Sequence, residues 1–194
     1  MGQRHQAYLR LPAVYYNPNN INNKPARNIG LHHQWLYGYS AVNALYRFLA
    51  WLKSDTDSLK YISHDEHGAF EAAYSFDHEI GYYHKVHTLG NEETNNPTLG
   101  DNNNGITVID VSGDKPAYCF ASIGYLECLD GDEQPEQYKP IDVRTWLKLH
   151  YPDWERDNPA ILKRVRFIEA QAGLLTAEKL KQVFPAMYQE ARVI

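Results

Sequence analysis

The stretch ITVIDVSGDKPAYCFASI, residues 106–123, contains the strongest β-hairpin pattern in the chain and decides the fold class. Two runs rich in β-branched and aromatic residues, 106–111 and 117–123, flank the sequence SGDKP. Ser, Gly, Asp and Pro reverse a chain readily, because they adopt turn backbone angles or hydrogen-bond to the turn locally. The pattern therefore predicts two antiparallel strands joined by a short turn.

Two further strands are predicted upstream of this hairpin. Apolar residues alternate with polar ones in QRHQAYLRL, residues 3–11, and in IGLHHQWLY, residues 29–37. Alternation with a period of two is typical of a strand that is buried on one face. In each segment a histidine, His5 or His33, shares a face with the apolar row. We therefore expect the two strands to pair, with both imidazoles on the buried face.

Helical patterns lie between and after the strands. Ser40 is predicted to cap a helix whose apolar residues recur at positions i, i+3 and i+4. Residues 54–79 are predicted to form one or two short helices, and residues 80–89 a strand. Three residues that commonly cap helices precede amphipathic stretches near the C-terminus: Asp142, Asn158 and Thr176.

Residues 1–194 are interpreted as a single α+β domain, a small and mostly antiparallel sheet with helices packed on it. The domain is expected to be sheet-rich over residues 1–123 and helical over 141–185. The chain is 43% hydrophobic and 22% charged, a composition that excludes a disordered or collagen-like protein. The two cysteines are too few for a disulfide framework.

The sequence contains no membrane or export signal. No apolar run approaches the roughly 20 residues that a membrane-spanning helix requires. The N-terminal sequence MGQRHQAYLRLP has no apolar core of a signal peptide. We therefore expect no membrane partner and no secretion by a signal peptide.

The charges are divided along the chain. Residues 1–53 contain six basic and no acidic residues, residues 54–142 contain four basic and 18 acidic, and residues 143–194 contain nine basic and six acidic. The net charges of the three segments are therefore +6, −14 and +3. Such a division indicates either an anionic partner for the basic part or a contact between oppositely charged surfaces, within one molecule or between neighbours.

His5 and His33 are the candidate catalytic residues. A neutral imidazole that is shielded from water is a usable general base. The alternative interpretation is a buried histidine pair that is hydrogen-bonded within the core. The other polar or aromatic residues of the two motifs are candidate binding residues: Arg4, Gln6, His32, Gln34 and Trp35.

The remaining histidines do not form a metal-binding pattern. The run from His64 to His87 contains five histidines, but their spacing matches no known closed metal site and no metalloprotease motif. We therefore expect no bound metal and no cofactor.

Two long polar loops, residues 12–28 and 90–105, are rich in Asn and favour a function in protein contacts. Tyrosine supplies contact area with a polar end, which suits interfaces. Four tyrosines in and near these loops are candidate interface residues: Tyr15, Tyr16, Tyr82 and Tyr83.

Two strings in the sequence, GQRHQ at residues 2–6 and HHQWLYG at residues 32–38, resemble a scattered group of hypothetical proteins from tailed phages and some fungi. The resemblance also includes the DNNNG turn at residues 101–105, so it covers about the first two thirds of the chain. The group has no established activity, and the resemblance therefore implies a viral origin, with a location in the virion or the host cytoplasm, but no catalytic residues.

Two classes of function remain open from the sequence. The first is a non-enzymatic phage-type protein, a virion or assembly component that contacts itself or other virion proteins. The second is a small hydrolase that uses His5 and His33 on a phosphate-bearing substrate. A weaker alternative is a nucleic-acid-binding protein, because the basic first third is also aromatic, although the chain as a whole is net acidic.

Overall fold

The computed structural model describes most of the predicted sheet and the C-terminal helices. The described residues are 5–12, 26–33, 36, 38–54, 65–77, 82–83, 87–90, 94, 105–121 and 139–185. Only the backbone is described for residues 65–67, 76–77, 82–83 and 87.

A six-stranded mixed sheet forms the centre of the fold. Its strands are β1 (His5–Leu11), β2 (Arg27–His33), β5 (His87–Thr88), β6 (Ile106–Asp110), β7 (Ala117–Ala121) and β8 (Gly173–Leu174). Across the sheet they lie in the order β5-β2-β1-β6-β7-β8. Three neighbouring pairs are antiparallel, whereas β1–β6 and β7–β8 are parallel. A separate two-stranded sheet pairs β3 (Phe76–Asp77) with β4 (Tyr82–Tyr83). The predicted α+β class is confirmed.

Six helices are described around the sheet. They are α1 (Gly38–Ser54), α2 (Asp65–Ser75), α3 (Val143–His150), α4 (Trp154–Asp157), α5 (Pro159–Gln171) and α6 (Ala177–Val183). Apolar residues of α1 to α5 pack on one face of the sheet, which we call the helical face. Residues of α6 pack on the other face, which we call the opposite face. The predicted helical C-terminal region is confirmed.

The three predicted N-caps of the C-terminal helices are confirmed. The Asp142 side chain accepts a hydrogen bond from the backbone N–H of Thr145 at 2.7 Å, which begins α3. Asn158 and Thr176 do the same at the starts of α5 and α6. Each side chain satisfies a backbone donor that has no partner within its helix, so these ends are specified locally.

The first helix starts earlier than predicted. Helix α1 begins at Gly38, and Ser40 is a fully buried residue inside its first turn. Gly38 has a φ of +47°, a conformation that is unfavourable for residues with a side chain and easy for glycine. The chain therefore turns at Gly38, ahead of the residue that the capping pattern indicates.

The predicted strand over residues 80–89 is wrong as a single element. Residues 82–83 pair with β3 in the small sheet, whereas residues 87–88 form the edge strand next to β2. An apolar pattern identifies extended backbone, but it does not identify the strand with which that backbone pairs.

Candidate functional site

His5 and His33 lie directly opposite each other on the antiparallel strands β1 and β2. Their exposed fractions are 0% and 2%, so both side chains are buried. Both belong to the row of residues that faces the helices, together with Ala7 and Leu31. The prediction that the two strands pair, with both imidazoles on the buried face, is confirmed.

His5 contacts two further elements besides strand β2: strand β6 and helix α3. Its Nε2 atom is 2.8 Å from Oγ1 of Thr107, a fully buried hydroxyl on β6. Its ring meets the indole of Trp146 on α3 edge to face, with 5.7 Å between the ring centroids. His5 therefore links β6 and α3 through one hydrogen bond and one aromatic contact.

Trp146 is the centre of this region. Its indole N–H donates a hydrogen bond to the backbone oxygen of Gly38 at 3.1 Å, which ties α3 to the first residue of α1. Its ring stacks on Phe120 of β7, with 4.8 Å between the centroids and 17° between the planes. Because the side chain is fully buried, its one polar atom requires this partner.

A third imidazole, that of His150, also contacts Trp146. Its Nδ1–H donates to the backbone oxygen of Trp146 at 2.9 Å, and the two ring centroids are 4.3 Å apart. Burial lowers the pKa of His150, and this hydrogen bond partly offsets the shift. We call His5, His33, Thr107, Trp146 and His150 the imidazole cluster.

Tyr74 of α2 adds a second hydroxyl near the imidazole cluster. Burial raises the pKa of Tyr74, while a side-chain interaction with Thr107 and the charge of Arg47 lower it. Because its pKa is raised, the phenol is protonated at neutral pH. The imidazole cluster and Tyr74 together thus supply weak hydrogen-bond donors and acceptors in a low-dielectric environment.

This arrangement can bind protons and orient the rings, but its two strand histidines, His5 and His33, are enclosed. A general base has to come within about 2.6–3.2 Å of the proton that it removes. With exposed fractions of 0% and 2%, neither His5 nor His33 offers that access in this conformation. Among the residues that the structure describes, no three His, Cys, Asp or Glu side chains lie close enough to bind a metal ion together.

The two candidate binding residues that the structure describes, Gln6 and His32, do not converge on the pair. Gln6 and His32 are partners across β1 and β2, and they lie on the opposite face of the sheet. Gln6 is 1% exposed, and its Oε1 accepts a hydrogen bond from the hydroxyl of Tyr8 at 2.6 Å. The other three predicted binding residues lie outside the described part of the chain: Arg4, Gln34 and Trp35.

The candidate interface tyrosines stay a prediction. Tyr15 and Tyr16 lie outside the described residues, and for Tyr82 and Tyr83 only the backbone of β4 is described. Cys119, at the centre of β7, is buried, and burial raises the pKa of its thiol, so it is a packing residue of the opposite face.

Sequence reasoning missed Trp146, His150 and Thr107 as parts of the site. Trp146 and His150 are four residues apart on α3, so they share one helix face, and this spacing is a usable signal once Asp142 is recognised as the cap. No comparable signal exists for Thr107, because its contact with His5 joins positions that are 102 residues apart.

Three comparisons with known proteins give no match for this chain: none of the protein-family models, curated proteins or solved structures that were searched is significantly similar to it. Among the described helices, none is both long enough and apolar enough to cross a membrane.

Proposed function

We propose that this protein is a non-enzymatic, phage-type component of a virion or of its assembly, and that it works through contacts with copies of itself or with other virion proteins. The observation that carries the proposal is the enclosure of the histidine pair. His5 and His33 are the residues with the best claim to catalysis, and both are packed inside the core.

The contacts of the pair support a structural role. His5 is hydrogen-bonded to Thr107 and packed against Trp146, which in turn holds the start of α1. Buried polar groups that bond across several elements favour one arrangement of the core. The resemblance to phage proteins, the Asn-rich segments that the sequence predicts to be loops, and the divided charge support a function in assembly.

The test is the size of the purified protein in solution. Light scattering at several protein concentrations, in low and in high salt, should detect an oligomer or a larger particle in low salt. A species of 22.4 kDa under every condition would contradict the proposal. Charged contacts weaken as salt is added, because the screening length is about 10 Å at 0.1 M.

A small hydrolase is the second candidate, and the register of β1 and β2 favours it. The two imidazoles lie on directly opposed residues, and His5 is next to the Thr107 hydroxyl. Two imidazoles can act as general acid and general base in the hydrolysis of a phosphate ester. Hydrolysis of p-nitrophenyl phosphate esters by the wild type, lost in both His5→Gln and His33→Gln, would support this candidate. A His32→Gln variant is the matched control, because His32 lies on the other face of the same strand.

A further inference from the structure

Helix α1 leaves only a strip of its surface uncovered, and that strip contains no acidic residue. Ten residues of the helix are buried, and from its middle onward the others are small, aromatic or basic: Tyr46, Arg47, Ala50, Trp51, Lys53 and Ser54. Tyr46 and Lys53 are seven residues apart, so they lie on one line along the helix, separated by about 10 Å. Arg47 instead donates to the backbone oxygen of Ala73 on α2.

Helix α5 packs against α1 and adds two cations and a ring beside this strip. Phe167 follows Arg164 by three residues and Lys163 by four, so the three side chains are neighbours on one side of the helix. The third cation of the helix, Arg166, lies on the opposite side from Arg164 and is not part of this surface. The one acidic residue of α5, Glu169, is paired with Arg144 of α3 at 2.6 Å.

Ring and charge contacts join the side chains of the two helices. Tyr46 meets Phe167 edge to face, with 5.1 Å between the ring centroids. Lys53 Nζ lies 5.4 Å from the ring centroid of Phe167, and the Arg164 guanidinium lies 5.7 Å from that of Tyr46. We call this set of side chains the aromatic–basic surface: Tyr46, Lys53, Lys163, Arg164 and Phe167.

A ligand can reach every member of the aromatic–basic surface. Lys53 and Lys163 are exposed, and the other three side chains are half-buried. Within the described part of the chain, none of its three cations forms an ion pair with a carboxylate. The contacts with Tyr46 and Phe167 orient two of the cations in advance, which reduces the side-chain entropy that binding would otherwise cost.

We infer that the aromatic–basic surface binds a single strand of nucleic acid. Proteins that hold single strands combine cations, which follow the phosphates, with aromatic rings on which the bases stack. This surface has both kinds of group side by side. The inference goes beyond the proposed function and does not depend on it, because a monomer could bind a strand equally well.

The rings and the charge of the chain favour a single strand over other anionic partners. The net charge of −5 and a patch of three cations give little attraction for a duplex, whose bases are already stacked. Unpaired bases add stacking on the rings to the phosphate contacts. An acidic peptide would use the cations but leave the rings without a stacking partner.

The first experiment measures binding of labelled oligothymidylate and oligouridylate of about 10 nucleotides to the full chain, by fluorescence anisotropy at several salt concentrations. Three phosphate contacts predict that the logarithm of the binding constant falls with the logarithm of the salt concentration, with a slope of about −2. The tighter of the two oligonucleotides identifies the strand as DNA or RNA. No binding at the lowest salt, or equal binding of a duplex of the same length, would overturn the inference.

The charge variant removes two cations without touching the core. Lys53→Gln with Lys163→Gln should weaken binding at low salt about fivefold or more and reduce the slope to about −0.7. Circular dichroism and the thermal midpoint should stay unchanged, because both side chains are exposed. Binding as tight as that of the wild type would place the strand elsewhere and overturn the inference.

The matched control has the same change in net charge at another place. Lys115→Gln with Lys181→Gln removes two exposed charges, on the β6–β7 turn and on α6. This variant should bind within about twofold of the wild type at the same salt. A loss as large as that of the charge variant would show a general charge effect, which contradicts a defined surface.

A ring variant tests the stacking. Tyr46→Leu keeps every charge, so it should weaken binding about threefold or more with the salt slope unchanged. Tyr46→Phe keeps the ring and should bind like the wild type. If Tyr46→Leu also binds like the wild type, the rings do not stack on bases and the inference fails.

Competition separates a strand from an acidic protein segment. A polyglutamate peptide with the same number of charges should displace the labelled oligonucleotide at least about tenfold less well than the unlabelled oligonucleotide does, because it has no bases to stack. Equal displacement by the peptide would assign the surface to an acidic protein segment and overturn the inference.

Discussion

The two faces of the central sheet differ in where their polar partners come from. On the helical face, His5 bonds to Thr107, and Trp146 bonds to Gly38, 108 residues away. On the opposite face Tyr8 bonds to Gln6 two residues earlier in the same strand, and Lys179 of α6 lies 3.9 Å from the carboxylate of the buried Asp110. The imidazole cluster therefore links more elements than these polar contacts do, and the apolar residues of the opposite face pack against α6.

This difference gives the two faces different sensitivities. A buried polar group left without its partner costs about 1–3 kcal/mol beyond the packing that is lost. A substitution in the imidazole cluster therefore disturbs several elements at once. A substitution of an apolar side chain on the opposite face, such as Phe184 or Val183, removes apolar contacts only.

The largest expected effect comes from Trp146→Ala, compared with Phe184→Ala. Trp146 stacks on Phe120 and donates a hydrogen bond to the backbone oxygen of Gly38. Phe184, on the opposite face, meets Tyr8 edge to face at 5.2 Å between the ring centroids. Aromatic truncation in a core costs about 3–5 kcal/mol, and we expect Trp146→Ala at the upper end and Phe184→Ala at the lower. Denaturant unfolding at pH 7 measures both.

A double-mutant cycle sharpens this comparison. His5→Gln combined with Trp146→Phe should show an interaction energy of about 0.5 kcal/mol or more, because the two rings are in contact. His5→Gln combined with Phe184→Leu should be additive. Equal coupling in both cycles would contradict the separation of the two faces.

The next effect concerns the turn that enters α1. Gly38→Ala should destabilise the protein by about 2–4 kcal/mol. The alanine would have to adopt the unfavourable left-handed backbone conformation of Gly38, and its Cβ atom would collide with the side chain of Tyr151. A Cβ atom at this position would lie 2.5 Å from the Tyr151 hydroxyl, and Tyr151 is itself stacked on Tyr39 at 3.9 Å.

The same substitution at Gly68 of α2 should change the stability in the opposite direction. A Cβ atom there meets nothing within 4 Å, and the residue is exposed. Gly68→Ala should therefore stabilise the protein by about 0.5–1 kcal/mol through helix propensity. If thermal unfolding shows the two substitutions to be alike, the role of Tyr151 at Gly38 is refuted.

A smaller effect is a dependence of stability on pH that arises on the helical face. Because burial lowers the pKa of His150 in the folded protein, the unfolded chain binds more protons as the pH falls below about 6.5. Stability is then lost as the pH falls from 6.5 towards the folded pKa, with a slope of at most about 1.4 kcal/mol per pH unit for one proton.

Unfolding curves between pH 7.5 and 5.5, roughly the range in which imidazoles titrate, measure this slope. His150→Gln should flatten it, whereas Val183→Ala on the opposite face should lower stability equally at every pH. A slope that His150→Gln leaves unchanged would assign the dependence to other groups.

The smallest effect lies on the surface. Arg144 makes a two-pronged contact with Glu169, at 2.6 and 3.1 Å, and a third contact with Glu155 at 3.0 Å. Its side chain is 40% exposed, so Arg144→Ala should cost at most about 1 kcal/mol at low salt and less at high salt. Arg144→Lys keeps the charge and should recover part of the loss, and a loss that persists unchanged at high salt would contradict an ionic cause.

Much of the fold can be predicted from the sequence where the signal is local. The hairpin from Ile106 to Ala121, the alternation in β1 and β2, and the caps at Asp142, Asn158 and Thr176 all lie within a few residues of the structure that they specify. Even the pairing of His5 with His33 can be predicted, because the matching alternation of the two strands places both residues on one buried face.

The sequence by itself determined the class of the fold, the buried side of each main strand, and the residues that begin the C-terminal helices, because periodicity and capping act over a few positions. Only the tertiary structure decided that β1 lies beside β6 in parallel, that Thr107 and Trp146 enclose His5, and that α1 joins α5. These contacts join segments about 100 residues apart or more, and their partners are selected by the packing of the whole core, which no local pattern encodes.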